Sequence, residues 1–323
     1  MTEPAEVVGL GSCTVDFFAL VPRLIGAEEK INASRIEVHA GGVTANNLTQ
    51  VARLGARAAW VGLLGNDENG SVIKKQFAAD GMDLTGIETV AGELSSFTWI
   101  PVDAQGERCI YMFPNVTARV TPRDVREKFA GHIRQAKHFH TEASQLPLAP
   151  VLEAIRLARE AGVKVIFDLD VAPSDFIKAG LGTEEELREA LRRTHVLKPC
   201  KAAARAMTGE SDYEKMARGL LSLGPQLVAV TMGAEGCLLA SAKEIVRVPS
   251  FPVNVVDTTG AGDAFMGGLS YALLQGWGLR EVGRFANACA ALCCTKVGAR
   301  AMARREEVTN FLKSQPAAAG ANF

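Results

Sequence analysis

Residues 257–265, with the sequence DTTGAGDAF, combine a turn that could bind an anion with a carboxylate. Gly260, Ala261 and Gly262 precede an apolar pattern of helical period, which predicts that the turn stands at a helix N-terminus. Free backbone N–H groups and the helix dipole favour a phosphate there. Asp263 could simply complement the dipole, or it could take the proton of a hydroxyl that attacks a bound phosphoryl group. The second possibility is phosphoryl transfer to an alcohol.

The composition favours a small ligand over a polymer. The 323 residues are 48% hydrophobic and 22% charged, and the formal net charge is −1. The sequence has no run of basic residues of the kind found in nucleic-acid-binding arms. No apolar run approaches the ~20 residues of a membrane helix, and the N-terminus lacks the pattern of a signal peptide. We therefore expect a soluble, cytoplasmic protein that binds neither nucleic acid nor a membrane.

The seven cysteines do not form an evident metal or disulfide pattern. Their number is odd, and none of them has the paired spacing of zinc or redox sites. Cys289 and Cys293 would share one helix face, but their surroundings are small and apolar. We expect free thiols, with these two buried as small hydrophobic residues.

Short runs rich in Val and Ile alternate with helical patterns, which is typical of a mainly parallel sheet flanked by helices. The predicted strands are AEVVGLGS, RAAWVGLLG, AKHFHT, VKVIFDLD, THVLK and QLVAVTMG. We predict one α/β domain over residues 1–313 and a disordered tail over residues 314–323. Residues 13–40 and 95–114 contain strands without intervening helices, and we expect them to form a small antiparallel sheet that serves as a lid or a dimer contact.

Three helix starts can be predicted from capping residues. Thr121 stands before a proline, as an N-cap does when the proline takes the first helical position. Thr183 and Ser211 are each followed three residues later by Glu, which is the spacing of a capping box.

Two stretches resemble the signatures of the ribokinase-like, or PfkB, carbohydrate kinases. DTTGAGDAF matches the C-terminal signature, and GGVTANNLTQVARLGARAAWVGLLGNDENG at residues 41–70 resembles the N-terminal one. Weaker similarity extends from about residue 7 to about residue 313. Two independent motifs at this separation are hard to reach by chance. The resemblance implies a Rossmann-like fold with a β-sheet lid, and an ATP-dependent kinase that acts on a hydroxyl of a small sugar or sugar-like substrate.

The resemblance also implies roles for single residues. Asp263 would be the general base, and the backbone amides of Gly260, Ala261 and Gly262 would form an anion hole. The residues implied to hold the acceptor are Asp16, Gly41, Gly42 and Asn46. Asp16 interrupts an apolar run, where a buried carboxylate needs partners such as sugar hydroxyls or backbone amides.

The nucleotide and its cations are placed by the same resemblance. The residues implied to contact ATP are Thr231, Gly233, Gly236 and Asn287. Without the family, the run TMGAEG would predict only a hairpin turn. Asp257 and Thr259 are implied to bind a monovalent cation such as K⁺, although Asp257 could equally fix the turn through its own hydrogen bonds.

The chain departs from the family pattern where Mg²⁺ is handled. Relatives commonly carry an Asn-x-x-Glu element after a lysine-proline strand end, and Cys200 and Ala203 stand in those places here. Neither residue is a ligand for a hard cation. We expect Mg²⁺ to be held differently, with Glu142 and Asp168 as candidates that could equally be structural.

A second departure concerns the acceptor. Sugar-acid kinases of the family have Asp-x-Asn-x-Arg where this chain has Asp168, Asp170 and Ala172, which argues against a sugar acid. Arg108 or Arg119 could still reach an acid from the lid. The lid aromatics could stack on a sugar or fill a homodimer interface; they are Phe97, Trp99 and Tyr111.

Two other functions compete with an active sugar kinase. A dinucleotide enzyme is suggested by VVGLGSCTVD but fails, because Thr14 takes the place of the third glycine. A pseudokinase that binds without catalysis is suggested by Cys200 and Ala203, and the intact Asp263 argues against it. The acceptor itself stays open between sugars and nucleosides.

Overall fold

The computed structural model describes residues 3–315, which form fourteen strands and twelve α-helices. The strands are β1 (Val7–Gly9), β2 (Thr14–Leu20), β3 (Arg35–Gly41), β4 (Ala58–Trp60), β5 (Gly62–Gly65), β6 (Ile87–Val90), β7 (Phe97–Val102), β8 (Tyr111–Phe113), β9 (His138–Glu142), β10 (Lys164–Leu169), β11 (Val196–Pro199), β12 (Leu227–Thr231), β13 (Cys237–Ser241) and β14 (Ile245–Val248). The helices are α1 (Val43–Arg53), α2 (Glu68–Ala79), α3 (Pro122–Asp124), α4 (Ala130–Gln135), α5 (Leu148–Glu160), α6 (Pro173–Lys178), α7 (Glu184–Arg192), α8 (Lys201–Thr208), α9 (Tyr213–Leu221), α10 (Ala261–Leu274), α11 (Leu279–Cys293) and α12 (Arg305–Ser314). The predicted disordered tail lies outside the described residues from residue 316 onward, and Ser314 ends a helix.

The main sheet has eight strands in the order β14-β13-β12-β11-β10-β9-β1-β4. Its strands from β12 to β4 run parallel, and β13 and β14 add an antiparallel hairpin at one edge. The predicted mainly parallel sheet is therefore confirmed. The run RAAWVGLLG is divided between β4 in this sheet and β5, which pairs with β6. The chain bends between them, where the Trp60 ring folds so closely over Gly62 that a Cβ there would lie 2.5 Å from it.

Helices cover both faces of the sheet, and the core is divided accordingly. Val165 and Phe167 on β10 pack in one apolar cluster, and Ile166 between them packs in the other. This alternation is the period of two expected for a strand buried on both faces. The carboxyl ends of the parallel strands therefore lie along one edge of the sheet, and polar side chains are found at this edge.

The lid is a four-stranded sheet in the order β3-β2-β7-β8. Its strands come from the two segments predicted to form it, and the turn at residues 103–107 closes the second hairpin as expected. The expectation of a wholly antiparallel sheet is wrong, because β2 and β7 pair in parallel. The first strand of each hairpin, β2 or β7, runs away from the main domain. These two strands are neighbours in the lid and are therefore parallel.

Two of the three predicted helix starts are confirmed. Thr121 and Thr183 each form a capping box with the acid three residues later. The prediction for Ser211 is wrong by one residue, because Asp212 is the N-cap of α9. Its carboxylate accepts the N–H groups of both Glu214 and Lys215, which a serine hydroxyl would satisfy less strongly.

The cysteines are all free thiols, and Cys289 and Cys293 are buried, as predicted. Over residues 3–315, no group of three or more His, Cys, Asp or Glu side chains is arranged to hold a metal ion. No helix in that range has the length and apolar character needed to span a lipid bilayer.

Two buried histidines on β9 share one hydroxyl of α10. The Ser270 Oγ lies 3.1 Å from His138 Nδ1 and 2.7 Å from His140 Nε2. Burial lowers the pKa of His138 to about 4, with Lys164 as a further cause, and burial lowers the pKa of His140 to about 3. Both imidazoles are therefore neutral in the folded protein well below the pH at which unfolded histidines become charged.

These histidines predict acid-sensitive stability. An unfolded histidine binds a proton near pH 6.5 and the folded ones do not until about pH 4 or lower, so the free energy of unfolding should fall as the pH drops from about 6.5 to 4. At the acid limit the loss amounts to roughly 3 kcal/mol for His138 and roughly 5 kcal/mol for His140. Urea unfolding of His140→Asn should show a weaker dependence on pH than wild type between pH 7 and 4.5. His132→Asn, at a partly exposed position in α4, should keep the wild-type dependence. An equal dependence for wild type and His140→Asn would contradict the assignment.

Candidate active site

The DTTGAGDAF segment forms a tight turn at the start of α10, as predicted. Gly260 is the N-cap residue and has a φ of 79°, a left-handed conformation that favours glycine. A side chain there would also strike the Ala299 carbonyl oxygen, which lies 2.1 Å from the position of a Cβ. The Ala261 N–H donates to the Thr258 carbonyl at 3.2 Å, so this amide is partly engaged within the turn. Gly262 and Asp263 follow in the first helical turn, where N–H groups have no preceding intrahelical carbonyl.

Asp263 is buried at the floor of a cavity and is held by α1. The Asn46 Nδ2 donates to Asp263 Oδ2 at 2.7 Å. Burial raises the pKa of Asp263 well above its ordinary value, although the positive charge of Lys198 and the Asn46 hydrogen bond oppose the shift. A carboxylate in such a setting is a stronger base than an exposed aspartate.

Lys198 is a functional candidate that sequence reasoning did not single out. Its Nζ pairs with Asp168 Oδ2 at 2.8 Å, and both side chains are almost fully buried. The Nζ also lies 3.3 Å from the position that a Cβ on Gly262 would take, so the ammonium stands beside the anion turn. Burial lowers the pKa of Lys198, but Asp168, Asp170 and Asp263 outweigh this and raise it. The one available signal was a lysine at the end of the apolar strand THVLKP.

A cavity of about 280 Å³ joins this turn to the lid. It brings together most of the residues predicted to bind the acceptor or the phosphoryl group, which are Asp16, Gly42, Asn46, Gly260, Gly262 and Asp263, and Thr259, predicted to bind a monovalent cation, also lines it. The remaining acceptor residue, Gly41, ends β3 next to Asp16. Asp170 also lines the cavity, where burial raises its pKa.

Asp16 has one oxygen engaged by the protein and one turned elsewhere. Its Oδ1 accepts hydrogen bonds from Thr14 Oγ1 at 2.8 Å and from Thr98 Oγ1 at 2.6 Å. Its Oδ2 lies 1.9 Å from the position that a Cβ on Gly41 would occupy, so only glycine leaves room for this carboxylate. Burial raises the pKa of Asp16 despite both threonine hydroxyls.

The lid supplies an apolar wall and one cation to the cavity. Thr98 and Ile100 from β7 face it, together with Met112 from β8 and Ile110, which directly precedes β8. Arg108 lines the cavity and its Nη1 donates to Thr259 Oγ1 at 3.1 Å, which connects the lid to the anion turn. The other lid-side candidates lie elsewhere.

Arg119 pairs with Glu93. Trp99 and Tyr111 line a groove of about 510 Å³ on the opposite face of the lid. Phe97 stacks on Phe113. These contacts place the three aromatics away from the described lining of the acceptor cavity.

The residues predicted for the nucleotide gather around the β12–β13 hairpin, outside the lining of the acceptor cavity as the described residues define it. Thr231 ends β12, and Gly233 and Gly236 form the turn into β13. The Asn287 Nδ2 donates to the carbonyls of Val248 and Pro249, at 3.0 Å each. The hairpin turn that the sequence predicts without the family is therefore present, and the Asn287 amide nitrogen is engaged by backbone.

The predicted cation residues are engaged within the protein. The two carboxylate oxygens of Asp257 accept the N–H groups of Thr259 and Gly298, both at 2.9 Å. These hydrogen bonds lower the pKa of Asp257 against the effect of burial. The Thr259 Oγ1 accepts a hydrogen bond from Arg108 at 3.1 Å.

The positions considered for Mg²⁺ differ in where their side chains lie, and neither of the two candidates, Glu142 and Asp168, lines the described cavity. Cys200 is the N-cap of α8, its sulfur accepts the Ala203 N–H at 3.4 Å, and burial raises the pKa of its thiol. Ala203 is fully buried in the core. Glu142 is buried and accepts the N–H groups of Ser12 and Thr44, so it fixes the start of α1. None of these three side chains lines the described cavity, whereas Asp170 does.

The comparisons with known proteins agree with this geometry. Residues 4–305 match the sequence model of the pfkB family of carbohydrate kinases. Ribokinase of Haemophilus influenzae is 30% identical over 310 residues, which cover 94% of this chain and 97% of that protein. Aminoimidazole riboside kinase of Salmonella typhimurium is 32% identical over 85% of this chain and 88% of its own length. Fructokinase-1 of rice, Oryza sativa subsp. japonica, is 31% identical over 91% of this chain and 93% of its own length.

Solved structures share the whole architecture. Ribokinase of Thermotoga maritima superposes with a TM-score of 0.83 at 27% identity, covering 96% of this chain and all of that one. Arabidopsis thaliana ribokinase, solved in complex with ribose and ATP, gives a TM-score of 0.85 at 25% identity over 97% of this chain and all of that one. The fold is thus that of the ribokinase-like α/β proteins. The chain belongs to the pfkB family of carbohydrate kinases, which are phosphotransferases that act on hydroxyl groups.

Proposed function

We propose that this protein transfers the γ-phosphoryl group of ATP to a hydroxyl of a small sugar or nucleoside, with Asp263 as the general base. One observation carries the proposal: a buried carboxylate in the first turn of α10 faces the same cavity as the anion turn. A reacting hydroxyl and a phosphoryl group can meet only where a proton acceptor and anion donors converge in this way.

The acceptor would lie between a polar and an apolar wall. Asp16, Asn46 and Asp263 provide hydrogen-bonding groups on one side, and the lid provides Ile100 and Ile110 on the other. This arrangement suits a molecule with several hydroxyls and a less polar face, such as a sugar ring. Asp263 would take the proton of the attacking hydroxyl, since burial raises its pKa and makes its carboxylate a stronger base than an exposed aspartate.

The anion turn and two cations would hold the phosphoryl group. The N–H groups of Gly260, Ala261 and Gly262 form the proposed anion hole, and Lys198 stands beside it. Arg108 brings a second positive charge from the lid to Thr259. Closing the lid over these groups would exclude water, so that the phosphoryl group passes to the acceptor and is not hydrolysed.

ATP would approach from the β12–β13 side, where Thr231, Gly233, Gly236 and Asn287 lie. Thr231 ends a parallel strand next to β11, the strand that carries Lys198. ATP at this position would point its phosphates towards the anion turn at the shared strand edge.

Mg²⁺ would neutralise the nucleotide phosphates, and Asp170 is the residue that fits it. Mg²⁺ in kinase sites is usually held by one or two carboxylates together with substrate phosphates, without a cage of protein ligands. Asp170 lines the cavity, and its carboxylate is not one that Lys198 contacts directly. The engaged Cys200 thiol and the buried Ala203 do not fit this role.

We assign Asp257 to holding the anion turn against residues 298–303, since both of its oxygens accept backbone hydrogen bonds. Asp257 therefore has both carboxylate oxygens engaged by backbone donors, and binding of K⁺ by Asp257 and Thr259 stays a prediction.

The lid would also carry a homodimer interface. Each of the four lid strands contributes one apolar residue to a row on the face turned away from the acceptor cavity. In strand order these residues are Val38, Phe17, Trp99 and Tyr111. Of these, Val38, Trp99 and Tyr111 are exposed. A large exposed apolar face of this kind is typical of a protein interface.

The assignment of the base predicts the effect of Asp263→Asn. The amide keeps the volume of the side chain but cannot accept the proton, so kcat should fall by about 10²- to 10⁴-fold. Nucleotide binding should stay within a few-fold of wild type, because the backbone donors are unchanged. A coupled assay with ATP, Mg²⁺ and a panel of sugars and nucleosides measures the first effect, and calorimetry with a non-hydrolysable ATP analogue measures the second. Near-normal turnover of the variant, or no turnover of wild type on any acceptor, would contradict the proposal.

Asp170 predicts a specific change in metal binding. Asp170→Asn should raise the Mg²⁺ concentration for half-maximal activity about ten-fold, because a carboxylate ligand is replaced by a neutral one. Independently of activity, Mn²⁺ binding in the presence of a non-hydrolysable ATP analogue, followed by electron paramagnetic resonance, should weaken. Asp175→Asn, at an exposed position on α6, is the matched control and should bind Mn²⁺ like wild type. Unchanged Mn²⁺ binding by Asp170→Asn would exclude Asp170 as the ligand.

The dimer proposal predicts a mass of twice the monomer in sedimentation equilibrium. Trp99→Glu should shift the protein to monomers, because it buries a charge in the apolar interface. Ile177→Glu, at an exposed apolar position on α6, should leave the dimer intact. A wild-type monomer at all concentrations would refute the interface.

A further inference from the structure

Arg300 is a buried arginine that the reaction outlined above does not use. It lies in the segment between α11 and α12, and its side chain reaches between the lid strand β3 and helix α1. Only 8% of its surface is exposed. Burying a guanidinium is costly, and its Nη1 has no hydrogen-bond partner among the described residues, so the partners of Nε and Nη2 indicate why the side chain is there.

The partners of Arg300 belong to the acceptor segment. Its Nε donates to Asn46 Oδ1 at 3.1 Å, and its Nη2 donates to the Gly41 carbonyl at 3.2 Å. Its guanidinium carbon stands 5.1 Å from the centre of the Phe77 ring, within the range of a cation–π contact. Arg300 therefore connects two of the predicted acceptor residues without lining the described cavity itself.

The Arg300 contact determines which way the Asn46 amide points. A guanidinium can only donate hydrogen bonds, so the Asn46 oxygen must face Arg300. The Asn46 Nδ2 is then left to face Asp263 Oδ2, to which it donates at 2.7 Å. The reversed amide would place its N–H groups against a cation and its oxygen against a carboxylate, and both contacts would be repulsive.

Arg300 is itself held at a fixed position. On one side the Gly298 N–H donates to Asp257, which belongs to the anion turn. On the other side the Arg53 Nη1 donates to the carbonyls of Arg300 and Met302, at 3.0 and 2.9 Å. The segment is thus tied both to the start of α10 and to the end of α1, which fixes the backbone from which the Arg300 side chain extends.

We propose that Arg300 is a positioning residue that orients Asn46 so that the Asp263 carboxylate is held by one oxygen and presents the other to the acceptor hydroxyl. The proposal rests on the proposed role of Asp263 as the base. Asn46 serves two partners, since its oxygen is fixed by Arg300 and its nitrogen fixes the base. We call this pair of hydrogen bonds the relay. It works in one direction only, because residue 300 must donate to the Asn46 oxygen and the Asn46 nitrogen must donate to Asp263.

The test compares Arg300→Met with Arg53→Met. Both variants remove a guanidinium that joins residues 298–303 to α1, but only the Arg300 guanidinium contacts Asn46. Arg300→Met should lower kcat about 10-fold or more, as expected when a catalytic group loses its alignment. The acidic limb of its pH–rate profile should move to higher pH, because Asp263 loses a hydrogen bond that favours its charged form. Arg53→Met keeps the contact between Arg300 and Asn46 but loosens the backbone segment that carries Arg300, so its limb should move less than that of Arg300→Met even if it lowers the melting temperature.

A double-mutant cycle separates the relay from a general structural effect. If Arg300 acts through Asn46, adding Arg300→Met to Asn46→Ala should cost little more than Asn46→Ala alone. Additive losses in kcat, or an unmoved pH limb in Arg300→Met, would overturn the proposal. If Asp263→Asn is inactive while these results fail, only the relay is refuted; if Asp263→Asn is active, the proposed function itself is refuted.

Asn46→Asp provides a second test should Arg300→Met fail to fold. This variant keeps an acceptor for Arg300, so we expect it to fold, but it replaces the N–H that faces Asp263 with an acceptor. Its kcat should fall at least about 10-fold and its acidic limb should move to higher pH, as like charges disfavour the ionised base. An unchanged limb in Asn46→Asp would show that the orientation of this amide does not control the base.

Discussion

The close contact between α1 and α10 is the constraint on which the rest of the site depends. Gly267 of α10 faces α1 so closely that a Cβ there would lie 2.5 Å from the Cβ of Gln50 and 2.6 Å from the Asn47 carbonyl. This approach brings Asn46 within hydrogen-bonding distance of Asp263. Any larger residue at this point would separate the helices and with them Asn46 and Asp263.

The charge balance around α10 explains how a carboxylate can stand beside an anion turn. Asp263 belongs to a buried group that also contains Asp168 and Asp170, and Lys198 is the cation among them. The lysine lowers the repulsion between the carboxylates and stands beside Gly262, where a phosphate would arrive. Burial raises the pKa of each of the three carboxyl groups, and the positive charge of Lys198 opposes this shift.

Residues 298–303 link parts of the site that are distant in sequence. Asp257 holds Gly298 at one end of the segment, and Gln50 donates to the Ala303 carbonyl at the other. Between them, Arg300 reaches both the lid strand and α1. One segment, residues 298–303, therefore supports the anion turn, the lid and α1. A displacement of any of these three elements can be transmitted to the other two through the hydrogen bonds of this segment.

The sequence by itself determined the parallel sheet, the two lid hairpins and the turn at Asp263, because these depend on periodicity and on motifs whose residues are neighbours in the chain. Sequence reasoning placed the α9 cap one residue early and expected a wholly antiparallel lid, since the choice between Ser211 and Asp212 and the pairing of β2 with β7 depend on three-dimensional contacts. Only the tertiary structure decided that Lys198 stands beside the anion turn and that Arg300 orients Asn46. The hydrogen bonds of Asn46 to Asp263 and to Arg300 span 217 and 254 residues, and no local pattern specifies a contact over such a separation.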